Sequence, residues 1–69
     1  MKDINFVKFG RNIAAARKAA GMTQKQLSEA CGQNEQRICH IETGLREPSL
    51  KLTYRIATVL GTNIDKLIG

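Results

Sequence analysis

The stretch from Thr23 to Gly44 constrains the fold of this chain more than any other part of the sequence. Thr23, followed three residues later by Gln26, forms a capping box, which predicts that a helix begins there. Glycine is the residue that most readily adopts the left-handed conformation ending a helix, so Gly32 and Gly44 each predict a helix end. Between these glycines, Asn34 can cap a second helix. The sequence therefore predicts two short helices joined by a turn at Gly32.

Apolar residues recur at helical spacing in both segments and predict one inward face: Leu27, Ala30, Cys31, Ile38 and Ile41. The opposite face of the second segment is polar and is left for solvent or a ligand: Glu35, Gln36, Arg37 and His40. Two helices that meet at a short glycine-containing turn, the second with a polar exposed face, are typical of the helix-turn-helix motif of DNA-binding proteins.

Three further helical segments flank this pair. The first, Asn5 to Ala20, has apolar residues at three- and four-residue spacing: Phe6, Phe9, Ile13, Ala16 and Ala20. Gly10 lies within it and weakens the helix by up to about 1 kcal/mol relative to alanine. After Pro48, Ser49 caps a fourth segment, whose inward stripe is Thr53, Ile56, Ala57 and Leu60. Asn63 caps a short fifth segment, whose apolar residues are Ile64, Leu67 and Ile68.

The pattern contains no repeat, low-complexity tract or linker. A length of 69 residues leaves room for one domain, so we expect residues 1–69 to form a compact all-α bundle of five helices. Thr53 would place a hydroxyl in its core, where the hydroxyl can bond a backbone carbonyl one turn earlier. Ser28 is small enough for a tight contact between the two motif helices.

The net charge of +5 and a pI near 9.7 favour an anionic partner. No segment approaches the roughly 20 apolar residues of a membrane helix, so we expect no membrane partner. Met1 to Asn5 include the charged Lys2 and Asp3 and are followed by no apolar run, unlike an export signal. These features predict a cytoplasmic protein.

Residues able to carry catalysis or bind a metal are few. Cys31 and Cys39 fall at positions that face inward or sideways, and a single histidine leaves no four-ligand zinc spacing. Cys39 and His40 are adjacent, and adjacent helical side chains point about 100° apart, so they make a poor catalytic pair. We therefore expect no metal, no cofactor, no small-molecule ligand and no enzymatic activity.

From Phe9 to Leu67 the chain carries a series of short matching elements: FGRNIAAARKAAGMTQKQL, CG, I-x-x-IE-x-G ending at Gly44, PSL, IATVLG and IDKL. In their order and spacing the chain resembles the Cro and phage-repressor (XRE-type) family of helix-turn-helix regulators. The resemblance implies a lambda repressor-like domain with its motif at about 23–44 and its recognition helix, about 34–43, in the major groove of double-stranded DNA. It also implies a transcriptional regulator, a repressor in preference to an activator, that binds a pseudo-palindromic operator as a homodimer.

The aligned base-reading positions are Glu35, Gln36 and His40, with Arg37 flanking them. Gln36 can pair bidentately with adenine, Glu35 can accept from a cytosine amino group, and His40 or Arg37 can donate to guanine. Glu35 has a second interpretation, as an acidic first-turn residue that favours the helix dipole. It can also act by repelling wrong sites.

The resemblance places Gln24 against the DNA backbone, at the start of the first motif helix. The expected companions are Lys25, Thr43 and Arg46, with Asn34 serving mainly as a cap. For Lys25, an ordinary solvated lysine is the competing interpretation. The resemblance further implies an ion pair between Arg17 and Glu42 across the back of the motif, which holds the recognition helix without touching a base.

The candidate dimer surface comprises Leu52, off the inward stripe of the fourth helix, with Ile64 and Ile68. Leu52 can equally be an isolated exposed leucine. An alternative function is a protein-interaction module, such as an antitoxin that neutralises a partner toxin and autoregulates its operon, with Leu52 and Tyr54 as its exposed contacts. RNA polymerase is a further partner that the family leaves open. RNA binding is disfavoured, because three aromatic residues give little for bases to stack on.

Overall fold

The computed structural model describes residues 4–69, which form five helices and no strand. They are α1 (Phe6–Ala19), α2 (Gln24–Ala30), α3 (Glu35–Glu42), α4 (Leu50–Val59) and α5 (Ile64–Ile68). The all-α five-helix prediction is therefore confirmed. Met1 to Asp3, on which part of the argument against an export signal rested, lie outside the described residues. Within residues 4–69, no helix combines the length and apolar character needed to cross a membrane.

The helices begin at the predicted caps. The Thr23 hydroxyl accepts from the Gln26 backbone N–H at 3.0 Å, and Oε1 of Gln26 accepts from the Thr23 N–H at 2.8 Å, which completes the capping box. Asn34, Ser49 and Asn63 cap α3, α4 and α5 through their side-chain oxygens. Because each cap satisfies backbone N–H groups locally, sequence alone was sufficient to place these boundaries.

The turn of the motif has the backbone conformation that its glycine permits. Gly32 adopts φ +68°, and Gly44, which ends α3, adopts φ +81°. Arg55 of α4 stabilises this turn, because its Nη1 donates to the carbonyl of Cys31 at 3.2 Å. This long-range contact of Arg55 had no signal in the sequence.

One core lies between the helices and contains most of the predicted inward residues. The fully buried side chains are Ile13, Leu27, Cys31, Ile38, Ile41, Ile56 and Leu67. Two alanines predicted to face inward, Ala20 and Ala30, are exposed. In α2 the small residue at the helix contact is Ser28, which is buried and donates its hydroxyl to the Lys25 carbonyl at 2.7 Å.

Leu52 contradicts the sequence interpretation, because it is a core residue with 5% of its surface exposed. Leu52 and Ile56 are four residues apart in α4, so they share one face of the helix and both point inward. The inward stripe of α4 therefore begins one residue before Thr53. The Thr53 hydroxyl donates to the Ser49 carbonyl at 2.8 Å, as predicted for a buried threonine in a helix.

Gly10 has a role that helix propensity does not reveal. A Cβ atom at this position would overlap the Ile41 carbonyl oxygen and lie 2.6 Å from that of Glu42. α1 therefore crosses the end of α3 at a distance that only glycine permits. The crossing positions α3 directly, and Gly10 is needed there despite its helix-weakening effect.

Candidate nucleic-acid interface

α3 has a polar outer face, and its inner face is packed in the core. Ile38 and Ile41 anchor its inner face in the core, where they are 1% and 2% exposed. Glu35, Gln36 and Arg37 are exposed in its first turn, and His40 is half-buried one turn later. The predicted base-reading residues therefore share the outer side of one helix. The inner face of that helix is packed in the core.

The outer side of α3 borders an open groove of about 490 Å³. Its lining combines residues of α3 with residues of the loop that follows: Asn34, Gln36, Arg37, His40, Arg46 and Glu47. The fold thus brings Arg46, predicted to contact phosphate, beside three of the base-reading candidates. Glu35 is exposed but does not line this groove. Glu47 was missed, because nothing in the sequence distinguishes it from a solvated loop residue.

The loop after α3 is held in place by the end of that helix. The His40 carbonyl accepts from the Leu45 N–H at 2.9 Å and from the Arg46 N–H at 3.2 Å. The Thr43 hydroxyl lies within bonding distance of the Cys39 and His40 carbonyls, at 3.1 and 3.2 Å. The backbone of Arg46 is therefore held by a hydrogen bond to the end of α3. The Thr43 hydroxyl already has acceptors within the protein.

A buried polar network lies behind this surface. Arg17 Nε donates to Glu42 Oε2 at 2.7 Å, and Arg17 Nη2 donates to Glu42 Oε1 at 3.1 Å. Arg17 Nη1 also donates to the Met22 carbonyl at 2.9 Å. The hydrogen bond to Glu42 raises the pKa of Arg17, and desolvation opposes that rise. The network joins α1, the turn before α2, and the end of α3.

Gln24, predicted to contact the DNA backbone, is also part of this network. Its Nε2 donates to Glu42 Oε1 at 3.0 Å, and its side chain is half-buried. Lys25, beside it, is exposed. Asn34 uses its side-chain oxygen to cap α3 by accepting from the Arg37 N–H at 2.7 Å. The five predicted phosphate residues therefore differ in availability, and the two cations among them, Lys25 and Arg46, are both exposed.

The predicted dimer residues do not form one surface. Leu52 is buried in the core, Ile64 is half-buried, and Ile68 is 39% exposed. The large exposed apolar side chains of α4 are instead Leu50 and Tyr54, at 78% and 68% exposure. Tyr54 borders a groove that also includes Ile64 and Asp65 of α5. Tyr54 had been named from the sequence as an exposed contact, and a helical wheel drawn with the stripe one residue earlier would have added Leu50.

The cysteines and the histidine form no reactive cluster in the part of the chain that the structure describes. Cys31 is fully buried, and Cys39 is half-buried with a free thiol. Burial raises the pKa of the Cys31 thiol, and the charge of Arg55 partly offsets this effect. Among residues 4–69, no group of three or more potential metal-binding side chains comes together.

A small helical bundle with a polar helix set on a glycine turn beside basic loop residues is a helix-turn-helix DNA-binding domain. The helix-turn-helix family matches residues 13–67, and this chain belongs to it, as a Cro and lambda repressor-like (XRE-type) member. Most of the described structure, from the middle of α1 to α5, lies within the matched range.

Similar proteins agree with this assignment. An uncharacterised HTH-type transcriptional regulator of Methanothermobacter thermautotrophicus is 47% identical over 49 residues, covering 71% of each chain. Another, from Archaeoglobus fulgidus, is 40% identical over 47 residues, covering 68% of this chain and 67% of that one. The restriction-modification controller protein C.AhdI from Aeromonas hydrophila has a similar crystal structure, with a TM-score of 0.85 and 31% identity over 90% of this chain and 94% of that one.

The chain is thus a transcriptional regulator with a helix-turn-helix DNA-binding domain. The prediction that it is not an enzyme is confirmed by its family and by relatives that are named as regulators of transcription. The basic composition, which alone favoured any anionic partner, agrees with a DNA-binding domain.

Proposed function

We propose that this regulator binds a pseudo-palindromic operator as a dimer, with α3 in the major groove, and that it acts chiefly as a repressor. The observation that supports this most directly is the groove that joins Gln36, Arg37 and His40 to Arg46. It sets side chains able to read base edges next to a cation able to contact the flanking phosphate. Base contacts supply sequence preference, and phosphate contacts supply position and much of the affinity.

The exposed residues of α3 have distinct chemical roles in this proposal. Gln36 pairs through its amide with N6 and N7 of adenine, and Arg37 or His40 donates to O6 and N7 of guanine. Glu35 accepts from the amino group of cytosine, or excludes sites at which its carboxylate would meet a phosphate. Gln36 and Arg37 are the strongest candidates for base reading, because both are exposed and both line the groove.

Phosphate contacts come from two parts of the fold. Arg46 supplies one from the loop after α3, whose backbone is bonded to the carbonyl of His40. Gln24 and Lys25 supply others from the start of α2. Asn34 can contribute only through its amide nitrogen, because its oxygen caps α3. Thr43 would have to exchange an acceptor within the protein for a phosphate.

Dimerisation places two recognition helices in successive major grooves about 34 Å apart. We propose that the contact is made by the partly exposed residues of α5, Ile64 and Ile68, together with Tyr54 of α4. Tyr54 and Ile64 line the groove between α4 and α5, and Ile68, at the end of α5, is 39% exposed. Leu52 has no part in this contact. The dimer would be weak in solution and strengthened by DNA, because the exposed apolar surface on α5 is small.

Repression follows from occupancy in this proposal. A dimer seated on an operator that overlaps a promoter blocks access of RNA polymerase, and cooperative binding makes the response depend on protein concentration. The similarity to a restriction-modification controller protein supports control of gene expression as the role. Within the cell the protein would work in the cytoplasm, on the nucleoid.

The experiment that tests this proposal is selection of bound duplexes from a randomised library at two salt concentrations, followed by sequencing. The expected result is an enriched pseudo-palindrome with half-sites about one helical turn apart, bound with a two-to-one protein-to-duplex ratio. Absence of enrichment, with an affinity that only falls steeply as salt rises, would reduce the interaction to non-specific phosphate contact.

A second candidate function is binding of a protein partner, such as a toxin or RNA polymerase. The observation that favours it is the adjacent exposure of Leu50 and Tyr54 on α4. Affinity purification from the native host discriminates the two functions. A stoichiometric companion that is lost in a Leu50→Glu variant, while DNA binding is retained, would favour the protein partner.

A further inference from the structure

The side chain of Gln24, at the start of α2, is bonded to the last residue of the recognition helix. Gln24 Nε2 donates to Glu42 Oε1 at 3.0 Å across 18 positions of sequence. The same carboxylate oxygen accepts from Arg17 Nη2 at 3.1 Å, and the other oxygen accepts from Arg17 Nε at 2.7 Å. Arg17 therefore holds Glu42 through both oxygens, and Glu42 holds Gln24.

This contact determines which way the Gln24 amide faces. The two ends of a glutamine amide are opposite in chemistry, since the oxygen only accepts and the nitrogen only donates. An ionised carboxylate only accepts, so Glu42 selects the orientation with the nitrogen towards it. One N–H of Gln24 is used by Glu42, and the other has no acceptor within residues 4–69. Because the side chain is half-buried, its freedom to rotate is limited.

A phosphate oxygen needs a donor, so the orientation of this amide decides whether Gln24 attracts or repels the DNA backbone. Turned the other way, Gln24 would present its carbonyl oxygen to the phosphate. The neighbouring Lys25 is exposed, so the same edge of α2 also carries a cation. The buried pair of Arg17 and Glu42 therefore influences a contact that Gln24 makes at the surface of the motif.

We infer that Glu42 is a positioning residue for DNA binding, which holds Gln24 so that its free N–H donates to a backbone phosphate. Arg17 acts one step further back, by holding Glu42. This inference rests on the proposed function and extends it, because the ion pair then does more than support α3. Through Glu42, the position of α3 in the major groove and the phosphate contact at the start of α2 depend on each other.

The test uses the duplex most enriched from the library, with each phosphate replaced in turn by an uncharged methylphosphonate. Gln24→Met keeps the length of the side chain and removes its donor. Its affinity is expected to fall about tenfold, since a hydrogen bond to a charged group is lost. At one phosphate, methylphosphonate should weaken the wild type and leave Gln24→Met unaffected. Lys25→Met is the matched control, expected to lose a different phosphate and to reduce the salt dependence.

Glu42 is tested through the same readout with Glu42→Gln, whose folded fraction is measured in parallel. The variant should weaken binding at the phosphate assigned to Gln24, and combining it with Gln24→Met should add little further loss. A uniform loss at all phosphates, additive with that of Gln24→Met, would make Glu42 a purely structural residue and overturn the inference.

A second measurement covers the case in which Glu42→Gln does not fold. In the free wild-type protein, the two Nε2 protons of Gln24 should differ in chemical shift more than those of the exposed Gln36, because one is bonded to a carboxylate. Equal separations would overturn the inference. If the wild type binds no duplex at all, the proposed function itself fails. If it binds and Gln24→Met is unchanged at every phosphate, the phosphate contact of Gln24 and the positioning role of Glu42 fail, and operator binding stands.

Discussion

Arg17 and Glu42 are 25 residues apart in sequence and are joined by two parallel hydrogen bonds, of 2.7 and 3.1 Å. Both side chains are nearly buried, at 10% and 5% exposure. The pair ties α1 to the end of α3, and neither residue lines the groove beside α3. With Met22 and Gln24 bonded to the same two residues, it forms the one buried salt bridge found in residues 4–69.

Removing one member of this pair should be costly. Glu42→Ala leaves the Arg17 guanidinium buried with only the Met22 carbonyl as an acceptor, so we expect a loss of about 3–5 kcal/mol in the free energy of unfolding. Urea denaturation followed by circular dichroism measures it. Such a loss is a large fraction of the stability of about 3–10 kcal/mol that is typical of a domain of this size.

The matched control replaces both members. Arg17→Met combined with Glu42→Leu removes both charges and keeps apolar volume, so it should be markedly more stable than Glu42→Ala. If the double variant is no more stable than the single one, the cost does not come from an unpaired buried charge.

Gly10→Ala should destabilise the protein although alanine is the better helix former. Alanine gains up to about 1 kcal/mol in helix propensity, but its Cβ would overlap the Ile41 carbonyl and force α1 away from α3. We expect a net loss of about 1–3 kcal/mol, measured as a lower urea midpoint. The control is Ala15→Gly at an exposed site in the same helix, with a loss of about 1 kcal/mol or less. A stabilised Gly10→Ala variant would contradict the close approach of the two helices.

Gln36→Ala should relax sequence preference at one base pair and leave non-specific binding unchanged. The expected cost on the selected duplex is about 1–3 kcal/mol, measured by titration against single-base variants of the site. Arg46→Ala is the comparison, since it should weaken all duplexes alike and lower the salt slope by about one. Equal discrimination by Gln36→Ala and the wild type would remove Gln36 from the base-reading set.

The two cysteines should differ in reactivity. Cys31 is fully buried and burial raises the pKa of its thiol, so the reactive thiolate is scarce and shielded. Half-buried Cys39 should be alkylated first, with Cys31 modified only after the protein opens, as read by peptide mass spectrometry over time. Because the folded pKa of Cys31 is raised, its contribution to stability is present at neutral pH. That contribution is lost as the pH rises above the ordinary value, where the unfolded chain gives up the proton first. Faster labelling of Cys31 than of Cys39 would contradict the burial.

Leu52→Glu and Tyr54→Glu should have different consequences although they lie two residues apart. Leu52→Glu places a carboxylate in the core and should unfold the domain. Tyr54→Glu changes a side chain that is 68% exposed, so folding should persist while self-association on DNA weakens. Thermal unfolding and analytical ultracentrifugation with the duplex separate the two effects. An unimpaired dimer in Tyr54→Glu would place the contact elsewhere.

The local features of this fold were readable from the sequence. Thr23, Asn34, Ser49 and Asn63 cap helices because a side-chain oxygen can reach N–H groups two or three residues on, which requires no other part of the chain. Gly32 ends α2 for an equally local reason. The exposure of Glu35, Gln36 and Arg37 followed from helical periodicity, and the family followed from the order of these signals.

Contacts between distant residues were decided by the tertiary structure. Leu52 faces inward because Ile56, on the same face of α4, packs into the core. The apolar stripe predicted for α4 began at Thr53 and so left Leu52 out. Gly10 is required because the carbonyls of Ile41 and Glu42 come close to it. Gln24 bonds to Glu42 because the fold brings the start of α2 to the end of α3. Caps and glycines act over a few residues and leave a local trace in sequence, whereas helix crossings depend on how all five helices pack.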